Sequence, residues 1–257
     1  METLITHPVL LFLSVLRPLG MCLIFPLLGS RNLGSAFVRN GLILSFSFPV
    51  LPLYLGEYPV IAINDINGVF IFQEITIGVL IGFVIALPFW ALDSAGFIID
   101  TIRGASMGSV LNPSLGEAAS VLGIIFVQLF IALFFMYGGL NAVLEVLYRS
   151  WQIIPPGTPF ELSERWLKLL FAQWDAMQAL CIGFVLPSVI VMVLTDLAIG
   201  LMNRSAQQLN VFFLAMPIKS VMALLMIIMS LLFAFKSYYA HLEQLPARLN
   251  EWLEAMT

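Results

Sequence analysis

Apolar residues fall into six runs along the chain, at 8–28, 41–55, 69–92, 120–147, 180–202 and 211–235. A straight helix needs roughly 20 apolar residues to cross a bilayer. Five of the runs reach that length, whereas 41–55 is short and carries Pro49 and Pro52. That run is expected to be half-inserted or buried in protein. No alternating pattern suits a barrel, and unpaired amides in hydrocarbon are too costly for irregular backbone, so helix is the expected state throughout. Pro88, Pro187 and Pro217 predict kinks, and Gly78 with Gly82 forms a G-x-x-x-G pair suited to close helix packing. The pattern predicts an all-α membrane protein of about six apolar helical segments, several of them kinked or half-inserted, within a single membrane domain covering 1–257.

Three connections separate or follow these runs. Segment 93–119 is rich in Gly and Ser; Asp100 and Arg103 have helical i,i+3 spacing, and Gly104 with Asn112-Pro113 marks a break. From its chemistry it is a linker or a movable obstruction, the linker being the simpler reading. In 149–178, Pro155-Pro156-Gly157 marks a turn and Thr158-Pro159-Phe160-Glu161 reads as a capping box, so a helix should start there. Trp151, Trp166 and Trp174 suit an interfacial belt. Beyond Ser237, Leu242, Leu245, Leu249, Trp252 and Met256 predict a partly amphipathic helix bent at Pro246.

Composition agrees with a membrane class. The 257 residues are 61% hydrophobic and 10% charged, with a mean hydropathy of +1.02, against about 25% charged in soluble domains. A net charge of −4 offers no basic footprint for nucleic acid. Cys22 and Cys181 lie inside apolar runs and read as small buried hydrophobes, not as a disulfide framework or metal site. The first run lacks a basic leader and is interrupted by Arg17, so it is expected to be retained as a membrane segment. Charge placement gives no clear orientation. With the N-terminus outside, the inside would hold Arg31, Arg39, Arg103 and Arg204, and the outside Arg149, Arg165, Lys168, Lys236 and Arg248. An ordinary six-span protein shows a stronger bias, which suggests that some runs do not cross in the usual way.

Polar residues inside the apolar runs are the candidate functional groups, because intramembrane charges are costly and face partners or water. Arg17, Glu74 and Arg103 are expected to be buried polar groups. The stretch 203–219, NRSAQQLNVFFLAMPIK, is polar at its start and carries Lys219 just after Pro217, within the last apolar run. One reading is a hairpin whose Arg204 and Lys219 snorkel to headgroups. The other places Arg204, Gln208, Asn210, Phe212, Pro217 and Lys219 at a subunit interface or inner entrance, with Lys219 paired to an acid across that interface. No catalytic constellation is present: His7 and His241 lie at opposite ends, and there is no H-E-x-x-H, nucleophile elbow or P-loop. Neither an enzyme nor a resident cofactor or metal is expected. A small-solute transporter using Arg17, Glu74 and Lys219 as an ion path is the competing class.

The string Asn203-Arg204-Ser205-Ala206-Gln207-Gln208-Leu209-Asn210-Val211-Phe212, followed by Met216-Pro217-Ile218-Lys219, resembles the signature of the FliR/SctT family of type III secretion export-apparatus proteins. Arg17-Pro18-Leu19-Gly20-Met21 with Pro26, Arg39, Glu74-Ile75-Thr76-Ile77-Gly78 with Gly82, and 104–113 match in the same order. Many relatives have Pro-Gln at 207–208 and Asp-Pro at 112–113, where this chain has Gln-Gln and Asn-Pro. The pattern is more similar to the virulence branch than to the flagellar one. The resemblance implies a non-enzymatic subunit whose helical hairpins pack into a hetero-oligomeric export gate for unfolded polypeptides in the bacterial inner membrane, partly on its periplasmic side within the basal body. Its partners would be SctR-, SctS- and SctU-type membrane subunits, secreted substrates in transit and membrane lipid. It also implies that residues up to about 150 resemble one partner type and those from about 151 the other. The loop Met107, Gly108, Ser109, Val110, Leu111, Asn112 and Pro113 would form the pore plug, with Met107, Val110 and Leu111 as its apolar, deformable part.

Overall fold

The computed structural model describes residues 2–29, 35–51, 67–105, 120–156, 164–205, 211–244, 247–248 and 251. Seven α-helices carry these residues: α1 (Glu2–Ile24), α2 (Ala36–Ser47), α3 (Gly68–Arg103), α4 (Val121–Met136), α5 (Gly139–Ile153), α6 (Glu164–Ser205) and α7 (Val211–Glu243), with short 3-10 turns at Pro26–Leu28 and Phe48–Val50. No strand occurs among the described residues, and the protein is an all-α membrane protein.

The helices do not follow the apolar runs one for one. Three of them, at Gly68–Arg103, Trp166–Arg204 and Leu214–Leu231, are long and apolar enough to span a bilayer, or four spans if a bent pair counts as one. That pair is α4 and α5, which divide the run expected at 120–147 with a bend of 72°. The break has a local cause. Gly138 takes a left-handed conformation (φ 71°), and a Cβ on Gly139 would stand 2.5 Å from the Phe134 ring. The second run is short as expected: α2 gives way to a 3-10 turn in which Pro49 removes a backbone donor.

Connections turn out more helical than their polarity suggests. α3 continues through Asp93 to Arg103 instead of ending with the apolar run. It closes in a Schellman motif: Gly104 (φ 87°) donates its N–H to the Thr101 carbonyl at 3.1 Å, and Ala105 donates to the Asp100 carbonyl at 2.9 Å. α6 already runs from Glu164, so most of the connection expected at 149–178 is helix; the capping box at 158–161 lies outside the described residues. α7 carries the last apolar run on to Glu243, and Pro246 lies outside the described residues. Pro88, Pro187 and Pro217 all sit inside continuous helices.

The chain divides into two compact units that interleave in sequence. The first comprises Met1–Leu87, Phe134–Gln173 and Glu243–Thr257. Its core holds Met21, Phe25, Leu28, Ile77, Val84, Phe134, Leu147 and Trp151, all buried. There α1 and α3 meet backbone to backbone. A Cβ on Gly20 would collide with the Ile75 carbonyl, one on Gly78 with the Arg17 carbonyl, and one on Gly82 would stand 2.7 Å from the Met21 carbonyl. The G-x-x-x-G pair is thus a crossing point, as small-residue spacing predicts. The second unit comprises Pro88–Leu133 and Trp174–Leu242. Edge-to-face aromatic pairs organise its core, with ring centroids 4.8 Å apart for Phe89 and Phe130, 5.7 Å for Phe130 and Tyr238, and 5.0 Å for Phe126 and Phe184.

Candidate functional site

In the first unit, the close crossing of α1 and α3 brings Arg17 onto Glu74. The side chains are 0% and 1% exposed, and they pair bidentately: Arg17 Nε donates to Glu74 Oε2 at 2.6 Å and Nη2 to Oε1 at 3.1 Å. The end of α5 completes the shell. Arg17 Nη1 donates to Ser150 Oγ at 3.1 Å, Nη2 donates to the Ile154 carbonyl at 2.7 Å, and the Trp151 ring lies 5.2 Å from the guanidinium carbon. Four hydrogen bonds and one aromatic face satisfy a planar cation that hydrocarbon alone would not tolerate. Arg17 and Glu74 are therefore the buried polar groups expected, and each neutralises the other. That pairing removes them as free charges for an ion path.

In the second unit, a polar knot joins the ends of α3 and α4. Ser120 accepts from the Gly123 N–H at 2.8 Å and so caps α4. Its hydroxyl donates to Asp100 Oδ2 at 2.8 Å, and the same oxygen accepts from the Leu122 N–H at 3.1 Å. Asp100 thus places a carboxylate at the positive end of another helix. Arg103 Nη2 lies 2.7 Å from Asp100 Oδ1, the i,i+3 pair anticipated from spacing; the Arg103 side chain is 17% exposed, so it is only partly buried. Nearby, a Cβ on Gly96 would collide with the backbone nitrogen of Gly123, so the two helices touch at their glycines.

Lys219 belongs to the same unit. Its ammonium lies 3.0 and 3.1 Å from the two Asp196 carboxylate oxygens and donates to the Ile102 carbonyl at 3.2 Å. The acid expected across a subunit interface is supplied by this chain itself, one hairpin arm away on α6. Arg204 is exposed in the last turn of α6, and Pro217 is exposed inside α7. Phe212 lies in the first turn of α7. Gln208 and Asn210 lie outside the described residues, as does the whole loop Met107, Gly108, Ser109, Val110, Leu111, Asn112 and Pro113. Among the described residues no group of three or more His, Cys, Asp or Glu is placed to hold a metal.

Residues 9–245 match the family described as bacterial export proteins, family 1. The chain belongs to this family, the FliR/SctT family. It is 41% identical over 248 residues to the secretion system apparatus protein SsaT of Salmonella typhimurium, covering 96% of each chain. It is 36% identical over 228 residues to the Yop proteins translocation protein T of Yersinia pestis, covering 88% of this chain and 87% of that one. Identity to the flagellar biosynthetic protein FliR of Escherichia coli is lower, at 29% over 224 residues and 84% of each chain. This FliR/SctT chain therefore sits on the virulence side of its family, and its apolar helices make it a multi-pass inner-membrane protein.

Several groups of this family member escape a reading of residue types alone. Ser150, Trp151 and Ile154 look like ordinary helix-end residues, and Asp196 and Ser120 carry no motif. The available signal was steric. Gly20 lies one turn after Arg17, and Gly78 one turn after Glu74, so a glycine crossing there sets the two charges against each other.

Proposed function

We propose that this FliR/SctT protein is a non-enzymatic structural subunit of a type III secretion export gate, lining part of the conduit by which unfolded polypeptides cross the bacterial inner membrane. The reading rests on the membrane helices having more apolar surface than the described residues cover. Only 33% of the apolar stretch in Trp166–Arg204 and 11% of that in Leu214–Leu231 is buried. Among the described residues nothing lies within 4 Å of a Cβ at Gly183 or Gly200, although small residues are the ones by which membrane helices approach one another. Such faces suit further helices better than lipid alone. The relatives named as secretion apparatus and translocation proteins support the same direction.

In this reading the neighbours are SctR-, SctS- and SctU-type membrane subunits, contacted through Arg204, Gln208, Asn210, Phe212, Pro217 and the surface around Lys219. Residues up to about 150 resemble one partner type and those from about 151 the other, within the basal body and partly on its periplasmic side. Met107–Pro113 obstructs the conduit at rest. A seal must block ions and yet yield to a polypeptide, and a short apolar loop meets both needs. Deleting 107–113 tests this: the complex is expected to assemble and to leak small solutes. An assembled complex with unchanged permeability removes the plug from the account. A purified protein that works alone as a monomer or symmetric oligomer, carrying a small solute, removes the gate.

A further inference from the structure

At the last turn of α3 one backbone carbonyl takes a side-chain donor from another helix. The Schellman motif gives the Asp100 and Thr101 carbonyls to the N–H groups of Ala105 and Gly104. The Ile102 carbonyl between those acceptors and the cap is taken by Lys219 from α7, at 3.2 Å. The ammonium also donates to Asp196 Oδ2 at 3.1 Å, with Oδ1 of the same carboxylate 3.0 Å away in the ion pair. Met216, one turn before Lys219 on the same face of α7, covers the helix exit: a Cβ on Gly104 would stand 3.5 Å from its Cγ. The Asp100 carboxylate meanwhile holds Ser120 and Leu122 at the start of α4. The points at which the chain leaves α3 and enters α4 therefore belong to one polar knot, and Lys219 is what α7 contributes to it.

We infer that Lys219 is a positioning residue: with Asp196 as counter-ion, it fastens the α6–α7 hairpin to the exit of α3, so that a displacement of the hairpin is passed to Ala105 and Ser120. Two features distinguish this from a simple ion pair. The lysine side chain is 14% exposed while Asp196 is 46% exposed, so the cation is turned inward to the carbonyl and the acid follows it. A neutral replacement would also take the ammonium donor away from this helix-terminal carbonyl. The functional consequence rests on the gate reading above, because only there do the ends of the α3–α4 connection bear on permeation; the mechanical link does not.

The test separates the two. Spin labels are placed on cysteines substituted at Phe97 on α3 and Val221 on α7, which are 52% and 58% exposed. The buried Cys22 and Cys181 are replaced by Ala. The label-to-label distance distribution is measured by electron spin resonance on the full chain, both in detergent and in the assembled complex, beside small-solute leakage of the complex. Lys219→Met and Asp196→Asn are expected to broaden the distribution and raise leakage; Lys219→Arg, which keeps a donor and a cation, is expected to restore both. The exchange Asp196→Lys with Lys219→Asp keeps the ion pair but points a carboxylate at the Ile102 carbonyl, and should stay broad. A narrow distribution in Lys219→Met, or full restoration by the exchange, overturns the inference. Where a variant does not assemble, the distribution in detergent decides. A complex that stays tight after deletion of 107–113 defeats the plug, while the fastening is judged by the label distances alone.

Discussion

Arg17 and Glu74, 57 positions apart, form a bidentate ion pair with almost no exposure to solvent, and the pair exists because three glycines let α1 and α3 touch along their backbones. A charge is expensive in an apolar interior, and its pairing repays that cost only when the remaining donors are also used. Here Ser150 and Ile154 use them, which ties α5 to the α1–α3 crossing.

Removing one member of that pair strands the other. Arg17→Ala or Glu74→Ala should destabilise the protein by about 3–5 kcal/mol, whereas the double change Arg17→Met with Glu74→Leu should recover only part of the loss, because it removes both charges together but takes a donor from the Ser150 hydroxyl and the Ile154 carbonyl. Thermal unfolding of the detergent-purified chain measures both. A single variant as stable as the parent contradicts the geometry.

The glycines divide into two groups by what surrounds them. Gly78→Ala puts a methyl against the Arg17 carbonyl and should cost about 1–3 kcal/mol through overpacking. Gly41→Ala meets nothing within 4 Å and should stabilise helix α2 by roughly 0.5–1 kcal/mol. Melting temperatures that move together in the two variants would remove the close crossing from the account.

Gly183 and Gly200 probe the uncovered face of α6. Neither meets any of the described residues within 4 Å, so Leu at either position should leave the isolated protein folded. If partner helices pack there, the same change should sharply reduce the yield of assembled complex, since only small residues allow close approach. Equal assembly by native electrophoresis would assign that face to lipid.

The Asp100 knot predicts a defect confined to the start of α4. Asp100→Ala removes acceptors from the Leu122 N–H and the Ser120 hydroxyl and should cost about 1–3 kcal/mol for buried donors left unsatisfied. Ser120→Ala, which removes the cap to Gly123, should cost about 1 kcal/mol. Faster amide exchange over 121–124 is the accompanying sign; uniform exchange across α4 would argue against a local cap.

The apolar runs alone determined that the chain is a helical membrane protein, that 41–55 is too short for a plain span, and that Arg17, Glu74 and Lys219 stand where charges need company. They did so because hydrocarbon admits only self-satisfied backbone and penalises every charge one residue at a time. The ordered strings 17–21, 74–82 and 203–219 also made the family legible. Tertiary structure alone decided which charges meet: Glu74 for Arg17, and Asp196 with the Ile102 carbonyl for Lys219. It also decided that 120–147 bends at Gly138 and that α3 runs past Asp93 to Arg103. Pairing across distant helices depends on crossing points and on which helix ends lie side by side. Glycines such as Gly20, Gly78 and Gly82 mark a crossing in the sequence, but which helix is met there is a property of packed surfaces.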